Sequence, residues 1–327
     1  MKYRLLGKTG FRISEVSLGT WQLGGKWGDA FNPETAQKIL EKSVESGINF
    51  FDTADLYNSG ASEIQIGKFL KKTPEKIYVA TKCGRKLSPH IAQGYNRVNI
   101  TKFIDESLAR MQVDAIDLIQ LHCPPPEVYD DDEVFEVLDD LKKTGKILHY
   151  GISVEKVEEA FKAIKYPGVA SIQIIYNMFR LKPDEKFFEA AYKNNVGIIV
   201  RVPLASGLLT GKLKKDTEYS SGDHRFFNRE GKFFDKGETF SGVPYETGLA
   251  AVEVLKKIFN DSELTKYAIR WILDNKYASC VIPGISSVEQ LNSNIAASDA
   301  QPLSAAQHDA VRQVYEKYIK EFVHHLW

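Results

Sequence analysis

Residues 115 to 153 read AIDLIQLHCPPPEVYDDDEVFEVLDDLKKTGKILHYGIS, and they hold one complete strand–helix–strand unit. AIDLIQLH (115–122) and ILHYGIS (147–153) are short runs rich in β-branched and apolar residues. Between them Val134, Val137, Leu138 and Leu141 recur at the spacing that places them on one face of a helix. Asp130, Asp131, Asp132 and Glu133 stand where that helix begins, so the carboxylates meet the positive end of its dipole. Strands that are nearly continuously apolar and separated by helices predict a parallel sheet covered by those helices.

The same alternation extends in both directions. Upstream lie VSLG (16–19), INFFD (48–52) and IYVATK (77–82). The first is followed by a helix that opens at Pro33, carries Ala36, Ile39, Leu40 and Val44, and ends at Gly47. A second helix is expected near 61–71, and a third carries Ile100, Phe103, Ile104, Leu108 and Met111. Downstream come a helix with Val157, Phe161 and Ile164, then SIQII (171–175), a helix near 184–193, VGIIVRV (196–202), SCVIPG (279–284) and a helix near 287–297. Eight such units point to a closed (β/α)8 TIM barrel, an α/β fold, formed as a single domain over residues 1–327. A doubly wound sheet is the alternative, but no GxGxxG follows a strand, and GKT at 7–9 lacks the glycine spacing of a phosphate loop. Three additions to the repeat are expected. They are an N-terminal β-hairpin over 2–14 that closes the bottom of the barrel, a long loop over 205–246 after strand seven, and an extra C-terminal helix over 304–324.

Composition narrows the function. Lys plus Arg and Asp plus Glu each total 43 in 327 residues, a balance that argues against a nucleic-acid protein. Three scattered cysteines make neither a disulfide framework nor a CxxC metal knuckle, and an odd number suits a reducing compartment. The first residues have no apolar signal core, and no stretch approaches the ~18 apolar residues of a membrane span. The expectation is a cytoplasmic protein acting on a small molecule, with no metal.

In a TIM barrel the chemistry gathers at the C-terminal ends of the strands. Strand two ends at Asp52, with Tyr57 five residues on; strand three ends at Lys82 and strand four at His122. Each alone has an ordinary structural explanation: a loop-capping Asp, a packing Tyr, a snorkelling Lys, a hydrogen-bonded His. Together at consecutive strand ends they form a chemical unit. Free tyrosine, with a pKa near ~10, donates a proton poorly at neutral pH, and an adjacent ammonium lowers that value. Asp52 would keep Lys82 charged, and His122 would orient a carbonyl oxygen or extend a proton path.

INFFDTADLYNSGASE (48–63), the strand ending in Lys82, DLIQLH (117–122), VPLASGLLTGK (202–212) and VIPGISSVEQLNSN (281–294) resemble the aldo-keto reductase family, in order along almost the whole chain. The resemblance implies an NAD(P)(H)-dependent oxidoreductase that reduces aldehydes or ketones, reversibly, with Asp52, Tyr57, Lys82 and His122 as its catalytic tetrad. It places Gly19, Thr20 and Trp21 beside the nicotinamide or substrate, and Ser153 and Gln173 on the carboxamide. It gives the pyrophosphate to the backbone of Leu204 to Leu209, with Pro203, Ser206 and Gly207 in that loop, and to Lys212. Gly284, Ser286, Gln290 and Asn294 fall at the adenosine. Ser286 or Ser287 could equally be a plain helix cap.

Two positions depart from the family pattern. Val154 stands where many relatives carry Asn, and Arg201 where many carry an aromatic residue. Arg201 is expected to stack on the nicotinamide or to bind an anionic substrate group. NADP(H) is the expected cofactor, NAD(H) the other possibility, with Ser286, Ser287 and Arg225 available to a 2′-phosphate. Trp21, Trp27, Tyr57, Phe226, Phe227, Phe233 and Phe234 suggest an apolar wall. Cys83 and Cys123 follow Lys82 and His122 and, by strand alternation, should face away from the site. The alternative function is a cofactor-binding sensor or regulatory module, as the β subunits of voltage-gated potassium channels resemble this family. The substrate and the oligomeric state are unknown at this stage.

Overall fold

The computed structural model describes residues 1–26, 28–259 and 263–327. Two short antiparallel strands, β1 (Tyr3–Leu5) and β2 (Arg12–Ser14), form the N-terminal hairpin. Eight parallel strands follow: β3 (Leu18–Gly19), β4 (Phe50–Asp52), β5 (Tyr78–Cys83), β6 (Ile116–His122), β7 (Ile147–Ser153), β8 (Val169–Ile175), β9 (Gly197–Arg201) and β10 (Ala278–Val281). Each pairs with its sequence neighbour, and parallel bridges Val16–Val281 and Gly19–Gly284 join the first strand to the last. The sheet therefore closes as a barrel. At the seam Gly19 is needed for its lack of a side chain, because a Cβ there would stand 2.7 Å from the Ile282 carbonyl oxygen.

The core has two layers. One lies between the strands and the surrounding helices, where Ile39, Leu40, Ile66, Ile104, Val137, Leu138 and Ile269 are fully or almost fully buried. The other fills the barrel itself. Phe50, Ala80, Leu118 and Ile199 point inward, with Leu6 and Ile13 of the hairpin packed beneath them. The hairpin seats because Gly7, at φ +50, lies so close to β9 that a Cβ would meet the Gly197 nitrogen at 2.3 Å.

Strand alternation converts that apolar floor into a polar ceiling. Two residues beyond Phe50, Ala80, Leu118 and Ile199 stand Asp52, Lys82, Gln120 and Arg201, which face inward in the same way one layer higher. Cys83, one step out of phase, joins the outer layer as expected.

The structure revises the sequence reading in three places. The helix expected near 184–193 breaks at Lys186 (φ −144) into Lys182–Glu185 and Phe187–Lys193. The long loop after β9 contains short turns at Ala205–Thr210, His224–Phe227, Lys236–Glu238 and Phe240–Gly242. Two helices the sequence analysis did not assign, Tyr245–Ile258 and Leu264–Leu273, then complete the seventh unit. The additional C-terminal helical segment is present as Ala305–Val314, a π turn over Tyr315–Ile319, and Lys320–Val323. Among the described residues no helix is long and apolar enough to cross a membrane.

Phe50 is fully buried in the barrel floor. Phe50→Ala should cost about 3–5 kcal/mol, read as a lower urea midpoint at unchanged slope. A shift worth under about 1 kcal/mol would mean that the barrel interior is not close-packed there.

Candidate active site

The ends of β4 and β5 bring Asp52 and Lys82 together at the top of the barrel, where they are 2% and 1% exposed. The Lys82 ammonium donates to Asp52 Oδ1 in a close ion pair and to the Thr53 carbonyl oxygen at 2.8 Å. Its third direction is the Tyr57 hydroxyl, 3.4 Å away. Asp52 Oδ2 accepts from the side-chain amides of Gln173 (2.7 Å) and Gln120 (3.1 Å). Asp52 is thus held on both oxygens. Tyr57 enters on a sharp turn, with Asn58 and Ser59 at φ +48 and +55 and Gly60 at φ +92. That turn directs a half-buried phenol back over the barrel mouth.

Burial works against the Lys82 ammonium, but Asp52 outweighs it and holds the lysine pKa above its usual value. For Tyr57 the expected direction is reversed. Burial raises the phenol pKa more than Lys82 lowers it, and Asp52 adds to the rise. Lys82 arrives already neutralised by Asp52, so the resting phenol stays protonated. His122 lies edge-on to Tyr57 with ring centroids 6.2 Å apart. Burial, then Arg85, Lys82 and Arg201, push its pKa well below normal, so the imidazole is neutral.

A cavity of about 480 Å³ opens above these groups. Its wall includes Asp52, Tyr57, His122, Gly19, Thr20, Trp21, Gln173 and Arg201. It continues past Pro203, Leu204, Ser206, Gly207, Lys212 and Arg225 to Gly284, Ser286, Gln290 and Asn294. The structure therefore gathers nearly all of the expected residues around one groove. Lys82, Ser153 and Leu209 lie outside its lining. Ser153 is buried, with its hydroxyl 3.5 Å from Cys123 Sγ, and Leu209 is fully buried in the outer core. Gln173 is on the wall, but its amide nitrogen is already engaged by Asp52 and Gln120. The Gly207 and Leu209 N–H groups both turn back onto the Leu204 carbonyl. Ser287 is the helix cap, accepting from Gln290 N–H, while Gln290 Oε1 accepts from the Ser286 N–H and hydroxyl. Arg225 lies against Ser206 and Gly207, with Asp223 gripping its guanidinium.

Arg201 differs most from expectation. Its guanidinium is 2.7 Å from Glu155 and 3.7 Å from Glu238, and it donates to the Val154 carbonyl at 3.0 Å. Its charge is met by carboxylates of the protein itself, which argues against a free anion-binding role. Cys123 also departs from the alternation expectation. At φ +50 the chain leaves the strand, and its sulfur stands 3.7 Å from Arg201. Glu155, Glu238, Arg85 and Gln120 were not singled out from sequence. Gln120 could have been found by stepping back two residues from His122, whereas Glu238 arrives from the long loop and carries no local signal.

That loop folds across the mouth. Trp21 stacks on His224 (4.9 Å) and meets Phe234 edge-on (6.1 Å). A smaller cavity of about 180 Å³ shares Trp21, Tyr57 and His224 with the groove and is walled by Phe31 and Phe227. Phe226 and Phe233, expected in an apolar wall, are instead 59% and 65% exposed. Trp27 lies outside the described residues.

A parallel barrel with a buried Asp–Lys pair beneath a tyrosine, at the end of a groove, is the setting in which the family comparison falls. The Aldo/keto reductase family model matches residues 15–316, and the chain belongs to that family. It is 30% identical over 299 residues to aldo-keto reductase YhdN of Bacillus subtilis, covering 89% of this chain and 87% of that one. It is 29% identical to the NADH-specific methylglyoxal reductase of Escherichia coli, covering 97% and 99%. Among solved structures, the holo form of aldo-keto reductase AKR11C1 from Bacillus halodurans aligns with a TM-score of 0.77 at 30% identity, over 96% of each chain.

Asp55, two residues before Tyr57, is fully buried, and neither carboxylate oxygen has a hydrogen-bond partner among the described residues. Burial raises its pKa from 3.8 to about 7, with Lys86 at 4.0 Å opposing. The folded chain therefore holds a proton there that the unfolded chain releases, so stability falls as pH rises from about 4 to about 7. Asp55→Asn should match the wild type near pH 4 and exceed it at pH 8 by a few kcal/mol, about 1.4 per pKa unit. Urea midpoints at the two pH values measure this. An equal difference at both would contradict a buried, proton-holding Asp55.

Proposed function

We propose that the protein is an NADP(H)-dependent reductase of aldehydes or ketones, working reversibly, with Tyr57 as general acid. The observation that carries this reading is the protonated Tyr57 hydroxyl 3.4 Å from a buried, charged Lys82 at the inner end of the groove. A nicotinamide cofactor, when bound, supplies the hydride.

Several features of the chain suit such a group. Asn294, at the groove's far end, is 2% exposed, and its Nδ2 is buried with no partner among the described residues. Gly284 leaves room that a Cβ would narrow to 3.0 Å from Gln22 Oε1. On this reading Gly19, Thr20, Trp21, Gln173 and Arg201 border the nicotinamide, with Ser153 behind them. Pro203, Leu204, Ser206, Gly207 and Leu209 form the pyrophosphate loop, and Gly284, Ser286, Gln290 and Asn294 the adenosine end. Lys212, a cation on the groove wall, favours the extra phosphate of NADP(H), and Arg225 could add to it only by sharing its guanidinium with Asp223.

As a carbonyl carbon gains hydride, its oxygen becomes an alkoxide. The Tyr57 proton passes to that oxygen, and the phenolate left behind faces the Lys82 ammonium. Lys82 therefore stabilises the product side of the proton transfer more than the resting phenol, which is the differential interaction that accelerates a step. Asp52, fixed by Gln120 and Gln173, keeps the ammonium charged and aimed. The smaller cavity beside Trp21 and Phe227 would take the remainder of a small substrate. The three cysteines are free and buried, as a reducing cytoplasm allows.

Absorbance loss of NADPH, and separately of NADH, over a panel of aldehydes and ketones tests the reading. NADPH should give the lower KM, and Tyr57→Phe should lose roughly 10²-fold or more in turnover while still binding cofactor. Full turnover in Tyr57→Phe would remove the assignment of the acid; a lower KM for NADH would reverse the cofactor preference.

A further inference from the structure

Arg85 lies three residues beyond Lys82, in the turn that leaves β5, and its side chain is 19% exposed. Its Nη2 meets Glu238 Oε1 at 2.7 Å, its Nη1 stands 3.4 Å from His122 Nε2, and its plane lies over Phe234, 5.5 Å from the ring centroid. Arg85 is thus seated between a carboxylate from the long loop and the histidine at the end of β6.

The chemistry of the two partners fixes who donates. A guanidinium has five N–H groups and no lone pair to offer, so the ring nitrogen it faces must be an acceptor. A neutral imidazole has one N–H and one lone pair, which puts the proton of His122 on Nδ1. Nδ1 is buried without a partner among the described residues, a cost that the charged Arg85 contact has to outweigh.

We infer that Arg85 is a positioning residue of the reaction, holding His122 as a neutral hydrogen-bond acceptor with its proton on Nδ1. The inference rests on the reading of Tyr57 as the acid and sharpens it. With its Nε2 lone pair directed at Arg85, His122 has no proton on that nitrogen to give a substrate oxygen, and delivery falls to Tyr57. Arg85 also places a permanent positive charge beside His122. Its counter-ion belongs to the long loop. Glu238 is buried, bonded to Arg85 and near Arg201, and its carbonyl accepts from the Ser206 hydroxyl. Seating that loop and setting the histidine's proton are therefore linked through one carboxylate.

The largest influences on the ring act in one direction, burial first. Arg85, Lys82, Arg201 and His90 each disfavour a second proton on His122, and Tyr57 meets it edge-on. Removing Arg85 takes away the nearest of these cations and the only donor seen at Nε2 among the described residues.

Nitrogen-15 NMR of the full chain labelled at histidine reads the tautomer directly, with His122→Asn assigning the signal. In the wild type, His122 should show a protonated Nδ1 and an unprotonated Nε2 from about pH 5 to pH 8. Arg85→Met should move the proton to Nε2 in part or wholly, and bring the ring's ionisation up towards its ordinary value near ~6.5. In turnover, Arg85→Met should lose roughly 10²-fold in kcat/KM and gain a pH dependence that the wild type lacks, and Arg85→Lys should recover part of both. A wild-type His122 protonated on Nε2 would overturn the inference even if Arg85→Met did not fold. Unchanged ring signals in a folded Arg85→Met would overturn it too. The NMR result does not depend on turnover. A protein that reduced no carbonyl would contradict the proposed function and leave this contact standing.

Discussion

A lysine and an aspartate buried together under a tyrosine are the interaction on which the site depends. Ionised groups taken out of water cost several kcal/mol each after relaxation, and a buried pair is often no more stable than apolar side chains of the same size. Packing alone therefore gives no reason for Asp52 and Lys82 to be where they are. The surroundings treat the pair as something to be kept: the Thr53 carbonyl accepts from the ammonium, and Gln120 and Gln173 donate to the carboxylate. The one remaining direction of the ammonium is towards the Tyr57 hydroxyl, at 3.4 Å. In that direction the ammonium does little for the neutral phenol and much for the phenolate.

The barrel explains how two such groups meet without distorting the backbone. Alternation along β4, β5, β6 and β9 places one inward residue in the apolar floor and the next inward residue in the polar ceiling. The lower layer is sealed by the hairpin and excludes water from beneath, so the upper layer works in a low dielectric. A second set of charges, Arg85, Arg201, Glu155 and Glu238, ties the long loop to the other side of the mouth. Burial and the neighbouring Glu238 raise Glu155 to about 8. Burial also opposes ionisation of Glu238, but Arg85 and Arg201 prevail and hold it at about 2. Arg85 and Arg201 thus hold two neighbouring carboxyls together against their mutual repulsion.

Much of this was legible in the sequence, and the limits of legibility have physical causes. The strands are continuous apolar runs, so their number and order could be read. Asp52, Lys82 and His122 stand at or next to the ends of three consecutive strands, and together those positions mark them in a barrel. Helices Tyr245–Ile258 and Leu264–Leu273 went unassigned because they follow a loop some forty residues long, where the strand–helix rhythm is lost. The direction of the Tyr57 shift was misjudged because proximity to Lys82 can be guessed from motif order, whereas burial and the neutralising effect of Asp52 depend on three-dimensional packing. The sequence points Arg201 to stacking on the nicotinamide or to an anionic substrate group because its partners, Glu155 and Glu238, are 46 and 37 residues away and arrive on different loops.

The most direct test is a single-turnover measurement of carbonyl reduction by Lys82→Met, with cofactor affinity determined separately by fluorescence titration. If the ammonium acts by stabilising the Tyr57 phenolate, the reduction rate should fall roughly 10²- to 10⁴-fold while the cofactor Kd stays close to that of the wild type. A rate within a few-fold of the wild type, with cofactor bound normally, would contradict the role assigned to the buried pair.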